Sequence, residues 1–177
     1  LGLSDRIQHY SGERPIFDLY GVEDEISRAL DKQVPLKSGG YLVFDQTEAM
    51  TSVDINTGSF LGQKNLEETA YRTNLEAAQS VARQLRLRNL GGIIIIDFID
   101  MHVAANREKV FEHMKKVMAV DRTKHNILPL SKFCLMQITR QRVRPEENIE
   151  TAEGCPTCHG SGKIVPTVLF ADELDGK

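Results

Sequence analysis

No part of this chain approaches the ~20 consecutive apolar residues that a membrane-spanning helix requires, so no such helix is expected. The opening residues, LGLSDRIQHY, hold no initiator Met, no apolar signal core and no basic leader. Nothing there directs export, and the start reads as an internal cut. Cysteine is scarce: three residues cannot build a disulfide framework, and two of them, Cys155 and Cys158, stand close together. That usage fits a reducing compartment and a metal site, and a cytoplasmic setting is expected. Repeats and low-complexity tracts are missing. A chain of 177 residues suffices for one globular domain with a real core and a small appendage, but not comfortably for two. A large charge of one sign is also lacking. The net charge of -3 argues only weakly against a nucleic-acid partner, because the charge is unevenly spread. From Arg122 to Arg144 there are six basic residues (Arg122, Lys124, Lys132, Arg140, Arg142 and Arg144) and no Asp or Glu. The segment is a candidate phosphate-contacting surface; a solvated basic face is the plain alternative.

What the chain does have is a set of well-marked elements. YLVFD at 41–45 and TSVDI at 51–55 are short, apolar and rich in β-branched or aromatic residues, which predicts an antiparallel hairpin. Asn65 with Glu68 resembles a capping box, and Tyr71, Leu75, Ala78, Ala82 and Leu85 recur at helical spacing until Gly91 and Gly92. Arg83, Arg86 and Arg88 near the end of that helix fit an interaction with its last carbonyls. A strand IIIID follows, then an amphipathic helix from Ala104 to Asp121 with Val110, Met114, Val117 and Met118 on one side. Ile127–Leu130 and Phe133–Ile138 read as further strands, and an acidic helix is expected over Val22–Leu30. The fold class is α/β in the mixed α+β sense: a mixed sheet with helices packed against it.

Two carboxylates stand out in that frame. In an extended TSVDIN, Val53 and Ile55 would face a core while Asp54 and Asn56 share the opposite face. Asp97, 43 residues after Asp54, ends a buried isoleucine strand where it emerges, as ligand sites often do in α/β sheets. A divalent metal site is the functional reading, and ordinary solvated turn aspartates the bland one. A second metal is suggested by GCPTCHGSG, where Cys155 and Cys158 at C-x-x-C spacing suit two thiolates of a tetrahedral zinc. The other half of that site is missing. Cys134 sits in an apolar strand and reads as a buried small hydrophobe, and His159 is too close to Cys158 for easy joint coordination. Zinc shared between two chains is the economical completion, a self-contained knuckle the main rival and a redox pair the lesser one.

Taken together, GGYLVFDQTEAMTSVDINTG, NLEETAYRTNLEAAQSVARQLRLRNLGGIIIIDFIDM, DRTKHNILPLSKF, ITRQR and CPTCHGSGK closely resemble the ribonuclease E/G family of bacterial endoribonucleases. The resemblance covers nearly the whole chain. It implies a remnant of an RNase H-like subdomain over 1–31, a DNase I-like catalytic subdomain over 32–151, a zinc-link over 152–166 and the start of a C-terminal segment over 167–177. It further implies magnesium held by Asp54 and Asp97 with Asn56 assisting. Zinc would be shared through Cys155 and Cys158 in a homodimer that can pair into a tetramer, and Lys124 would stand near the RNA backbone, with Arg122, Arg140 and Arg142 as further basic contacts. Asp100, although part of DFIDM, receives no role. The implied reaction is hydrolysis of single-stranded RNA at internal phosphodiesters to 5'-phosphate and 3'-hydroxyl ends. The five scattered histidines speak against a two-histidine route through a cyclic phosphate. As a catalytic-core fragment the chain alone is expected to be weak or inactive. A noncatalytic zinc-bridged RNA-binding or dimerisation module is the alternative.

Overall fold

The computed structural model describes residues 6–58, 66–142 and 156–157. The chain divides into two compact units, Leu1–Val143 and Arg144–Lys177. The regular elements of the described residues lie in the first: α1 (Ile16–Leu19), α2 (Val22–Leu30), β1 (Gln33–Pro35), β2 (Tyr41–Gln46), β3 (Met50–Asn56), α3 (Leu66–Leu87), β4 (Gly92–Asp97), α4 (Ala104–Met118), β5 (His125–Ile127) and β6 (Leu135–Arg140). The six strands form one mixed sheet in the order β1-β2-β3-β4-β6-β5. Among the described strands only β3 and β4 pair in parallel, and α3 is the crossover between them. No described helix is long and apolar enough to cross a membrane.

Alternation along the strands decides which face carries the core. Phe44, Val53, Ile96 and Met136 line up across β2, β3, β4 and β6, as do Thr51, Ile94 and Ile138, and all are buried. Against this face pack Ala77, Ala78, Val81, Ala82 and Leu85 of α3 and Val110, Met114 and Met118 of α4. Each fully buried Ile or Leu contributes about 1.5–3 kcal/mol relative to exposure, so this single layer dominates the stability. The alanines of α3 keep that helix close to the sheet. The opposite face, with Ser52, Asp54, Ile93 and Asp97, is exposed.

The predicted hairpin is present, with β2 and β3 antiparallel around a turn in which the Thr47 hydroxyl donates to the Met50 carbonyl at 2.9 Å. The expected cap at Asn65 lies outside the described residues. Four elements differ in their bounds from expectation. α3 stops at Leu87, because Asn89 takes the left-handed conformation (φ 49°) and the Leu90 amide returns to the Leu85 carbonyl at 3.0 Å. Gly91 and Gly92 then serve a different purpose: a side chain on Gly91 would collide with Arg142, and Gly92 has φ 87°. α4 ends at Met118 rather than Asp121, whose carboxylate accepts the Thr123 amide at 3.0 Å and pairs with Arg140. The last two strands shift to 125–127 and 135–140. Pro129 has no amide to donate, and the Ser131 hydroxyl accepts the amides of Phe133 (3.2 Å) and Leu135 (3.1 Å), so 131–134 is a turn.

α2 occupies its expected span, with no buried residue. Arg83 of α3 and Arg88 just beyond it hold this region rather than serving the helix's own carbonyls. Arg83 pairs with Glu25 at 2.7 Å, and Arg88 donates to the Asp31 carbonyl at 2.7 Å while lying 4.6 Å over the Phe44 ring. Arg86 remains exposed.

Candidate functional site

Asp54 and Asp97 are direct register partners across the one parallel strand pair, Asp54 near the carboxyl end of β3 and Asp97 at that of β4. Adjacent strands run about 4.8 Å apart, so two like-facing carboxylates here are within reach of one cation. Both occupy the exposed face, opposite the core positions Val53 and Ile96. Asn56 joins them: its Nδ2 donates to Asp54 Oδ2 at 2.8 Å, fixing that carboxylate's orientation. Burial, then the charges of Asp54 and Asp100, push the Asp97 carboxyl above its usual range. Crowded acids of this kind favour a bound cation, which would remove the repulsion. Among the described residues no group of three or more His, Cys, Asp and Glu forms a ready ligand cage. Two carboxylates nevertheless suit magnesium, which keeps several of its waters.

The segment after β4 is held by groups that no periodicity exposed. Asn74, fully buried on α3, treats Ile99 as a strand would: its Oδ1 accepts the Ile99 amide at 3.0 Å and its Nδ2 donates to the Ile99 carbonyl at 2.8 Å. Glu67 accepts the amides of His102 (2.9 Å) and Val103 (3.2 Å) and the Asn106 side chain (2.8 Å), capping α4, whose own N-cap residue Val103 has no polar side chain. The Asn106 hydrogen bond and then that of the His102 amide hold the Glu67 carboxyl below its usual range. Cys134, buried as expected, accepts the Met101 amide on its sulfur at 3.2 Å, and burial raises its thiol pKa. Asp97 and Asp100 thus leave a strand whose continuation is pinned to α3. Replacing Asn74 with Ala is expected to orphan both backbone groups of Ile99, costing about 1–3 kcal/mol for each group left unpaired. Chemical denaturation checks the loss, and an unchanged midpoint would refute the clamp. The signal available in sequence was a polar residue on the apolar stripe of an amphipathic helix.

Arg122, Lys124, Arg140 and Arg142 do not gather at the carboxylates. Asp97 pairs with Leu135, whereas Arg140 pairs with Gly92 and His125, at the opposite end of β4. Five residues of strand separate the two ends, about 17 Å. Arg122, Lys124 and Arg142 are exposed at that far end. Arg140 is a correction to the expected RNA contacts. Its guanidinium is buried and bound to Asp121 at 2.8 Å, the Leu90 carbonyl at 2.8 Å and the Thr123 hydroxyl at 3.2 Å. Six-residue alternation on β6 sends it to the core face, so it cannot reach a phosphate. Cys155, Cys158 and His159 lie outside the described residues; Pro156 and Thr157 between the cysteines form an exposed turn.

The arrangement defines a mixed α/β domain that delivers two carboxylates from adjacent parallel strands to an open face. Residues 2–143 match the Ribonuclease E/G family, and the chain belongs to that family. It is 54% identical over 170 residues to Ribonuclease G of Salmonella typhimurium (strain SL1344), and 52% identical over 170 residues to Ribonuclease G of Escherichia coli (strain K12). Each of these alignments covers 95% of this chain and 35% of the relative. Ribonuclease E of Escherichia coli (strain K12) is 42% identical over 161 residues, 91% of this chain and 15% of that protein. The chain therefore spans about a third of the ribonuclease G sequences it matches.

Proposed function

We propose that this chain is the catalytic core of a magnesium-dependent endoribonuclease that cleaves single-stranded RNA internally, leaving 5'-phosphate and 3'-hydroxyl ends. The reading rests on the register pairing of Asp54 with Asp97 on an exposed face, in a chain that belongs to this family. Asp54 and Asp97 hold the metal; Asn56 keeps Asp54 oriented and presents a polar edge to the water or phosphate. When bound, magnesium lowers the pKa of a coordinated water and offsets charge on the phosphoryl oxygens. Asp97, with its raised proton affinity, is the carboxylate most relieved by a cation. Arg122, Lys124 and Arg142 contact phosphates further along the strand. Cys155 and Cys158 bind a structural zinc together with the same pair of a second chain, giving a homodimer that can pair into a tetramer. The setting is the cytoplasm, the role RNA processing and decay, and this segment alone cleaves weakly or not at all.

Chelation tests the reading. Cleavage of a 5'-monophosphorylated single-stranded RNA by the full-length protein carrying this sequence is expected to stop in EDTA and return with magnesium. Products bearing 2',3'-cyclic phosphate, or cleavage that persists in EDTA, would refute it.

A further inference from the structure

We infer that the Ser131–Cys134 turn is an RNA subsite beside the carboxylates, in which the ring of Phe133 stacks on a base of the cleaved strand and Lys132 meets an adjacent phosphate. The inference rests on the function proposed above. Phe133 is 77% exposed, the largest fraction among the large apolar side chains of the described residues. Nothing in the core requires it. Its position is nonetheless fixed: the Ser131 hydroxyl accepts the amides of Phe133 and Leu135, the Cys134 amide donates to the Ser131 carbonyl at 3.1 Å, and the Ser131 amide donates to the Leu135 carbonyl at 2.9 Å. Cys134 adopts a left-handed backbone (φ 58°), which costs a non-glycine residue energy and persists only when the surroundings impose it. The strained residue is anchored by its buried sulfur, while the one before it is turned out to solvent.

The turn also stands at the right end of the sheet. The Cys134 carbonyl accepts the amide of Phe98, the residue after Asp97, at 3.2 Å, and Leu135 is the register partner of Asp97. The ring is therefore one residue from a direct hydrogen bond to the residue that follows Asp97. Lys132 is exposed next to it, whereas Arg122, Lys124 and Arg142 lie at the far end of β4. An aromatic face with a neighbouring cation is how single-stranded RNA is held without reading its sequence, each base having a π-face to offer.

The test is kinetic and uses the full-length protein with an RNA of one cleavage site, in which each nucleotide flanking the cleaved bond is replaced in turn by an abasic one. Wild-type protein is expected to lose about tenfold in kcat/KM at one of these positions. Phe133→Ala is expected to lose about the same on intact RNA, to show no further loss at that position, and to melt at the wild-type temperature. Phe133→Trp is expected to recover most of the activity. Cleavage by Phe133→Ala equal to wild type, or abasic losses that persist undiminished at every position, would overturn the inference while leaving the nuclease in place. Wild-type protein that fails to cleave with magnesium would instead overturn the function beneath it.

Discussion

Asp54→Asn and Asp97→Asn, each made in the full-length protein, are expected to lower magnesium-dependent RNA cleavage by about 10²–10³-fold without unfolding it. An amide has nearly the shape of a carboxylate, so neither substitution disturbs packing on an exposed face. What is lost is one of the two formal charges that would hold the proposed magnesium. The two variants should differ in the absence of metal. Burial and the neighbouring charges of Asp54 and Asp100 disfavour ionised Asp97, so a neutral residue at 97 relieves repulsion, and metal-free Asp97→Asn is expected to melt higher than metal-free wild type at neutral pH. The sign is the check: a group with a raised carboxyl pKa opposes folding once pH exceeds its unfolded value. Cleavage within tenfold of wild type in either variant would remove the two-carboxylate centre; a lower melting temperature for Asp97→Asn would show that the pair is not in repulsion.

The largest stability effect is expected at the other end of β4. Asp121 and Arg140 are each 4% exposed and joined at 2.8 Å, and Arg140 also serves Leu90 and Thr123. Removing one partner leaves the other charge buried and alone, so Asp121→Ala or Arg140→Leu is expected to cost about 3–5 kcal/mol. The double variant Asp121→Leu/Arg140→Met should recover much of that, because two apolar residues of similar volume leave no orphan. Arg140→Lys should not, since a single ammonium cannot reproduce contacts with three partners. The pH dependence follows. Burial pushes the Asp121 carboxyl up, but the hydrogen bonds from Arg140 and the Thr123 amide outweigh it and hold the group below its usual range. Its contribution is complete above the unfolded value of about 3.9 and is lost as pH falls through the depressed folded value. Denaturation midpoints for wild type should therefore fall more steeply than those of Asp121→Asn below about pH 4. Parallel curves would show that the pair contributes nothing.

How much of this was legible in sequence depended on the range of the interaction that fixed each feature. β3 and β4 are readable because alternation and an isoleucine run are local patterns, which put Asp54 and Asn56 opposite the core and Asp97 at the end of β4; the run does not show that β4 is open on one face, with Ile93 exposed. Arg140 was misjudged because basic composition says nothing of direction: the same alternation that exposes Thr139 buries its neighbour, and only Asp121 on the facing turn makes that tolerable. The late strands shifted because Ser131 competes for the backbone with its hydroxyl, which no count of apolar residues detects. Asn74 shows in sequence only as a polar residue on an apolar stripe, because its partner is the backbone of Ile99, which any residue would supply. The elements that were found rest on their own periodicity; those that were missed rest on a single hydrogen-bonding side chain meeting main chain far away in sequence.

On the function proposed above, the crossover from β3 through α3 to β4 sets when the two carboxylates can first meet. Each carboxylate arrives on its own strand, and the segment bearing Asp97 emerges from the ribosome after all of α3 has been made. A growing chain carrying only the first acid has no two-carboxylate pair. Closing a parallel pair over that separation is entropically expensive, so the paired carboxylates would arise together with the cooperative fold rather than ahead of it.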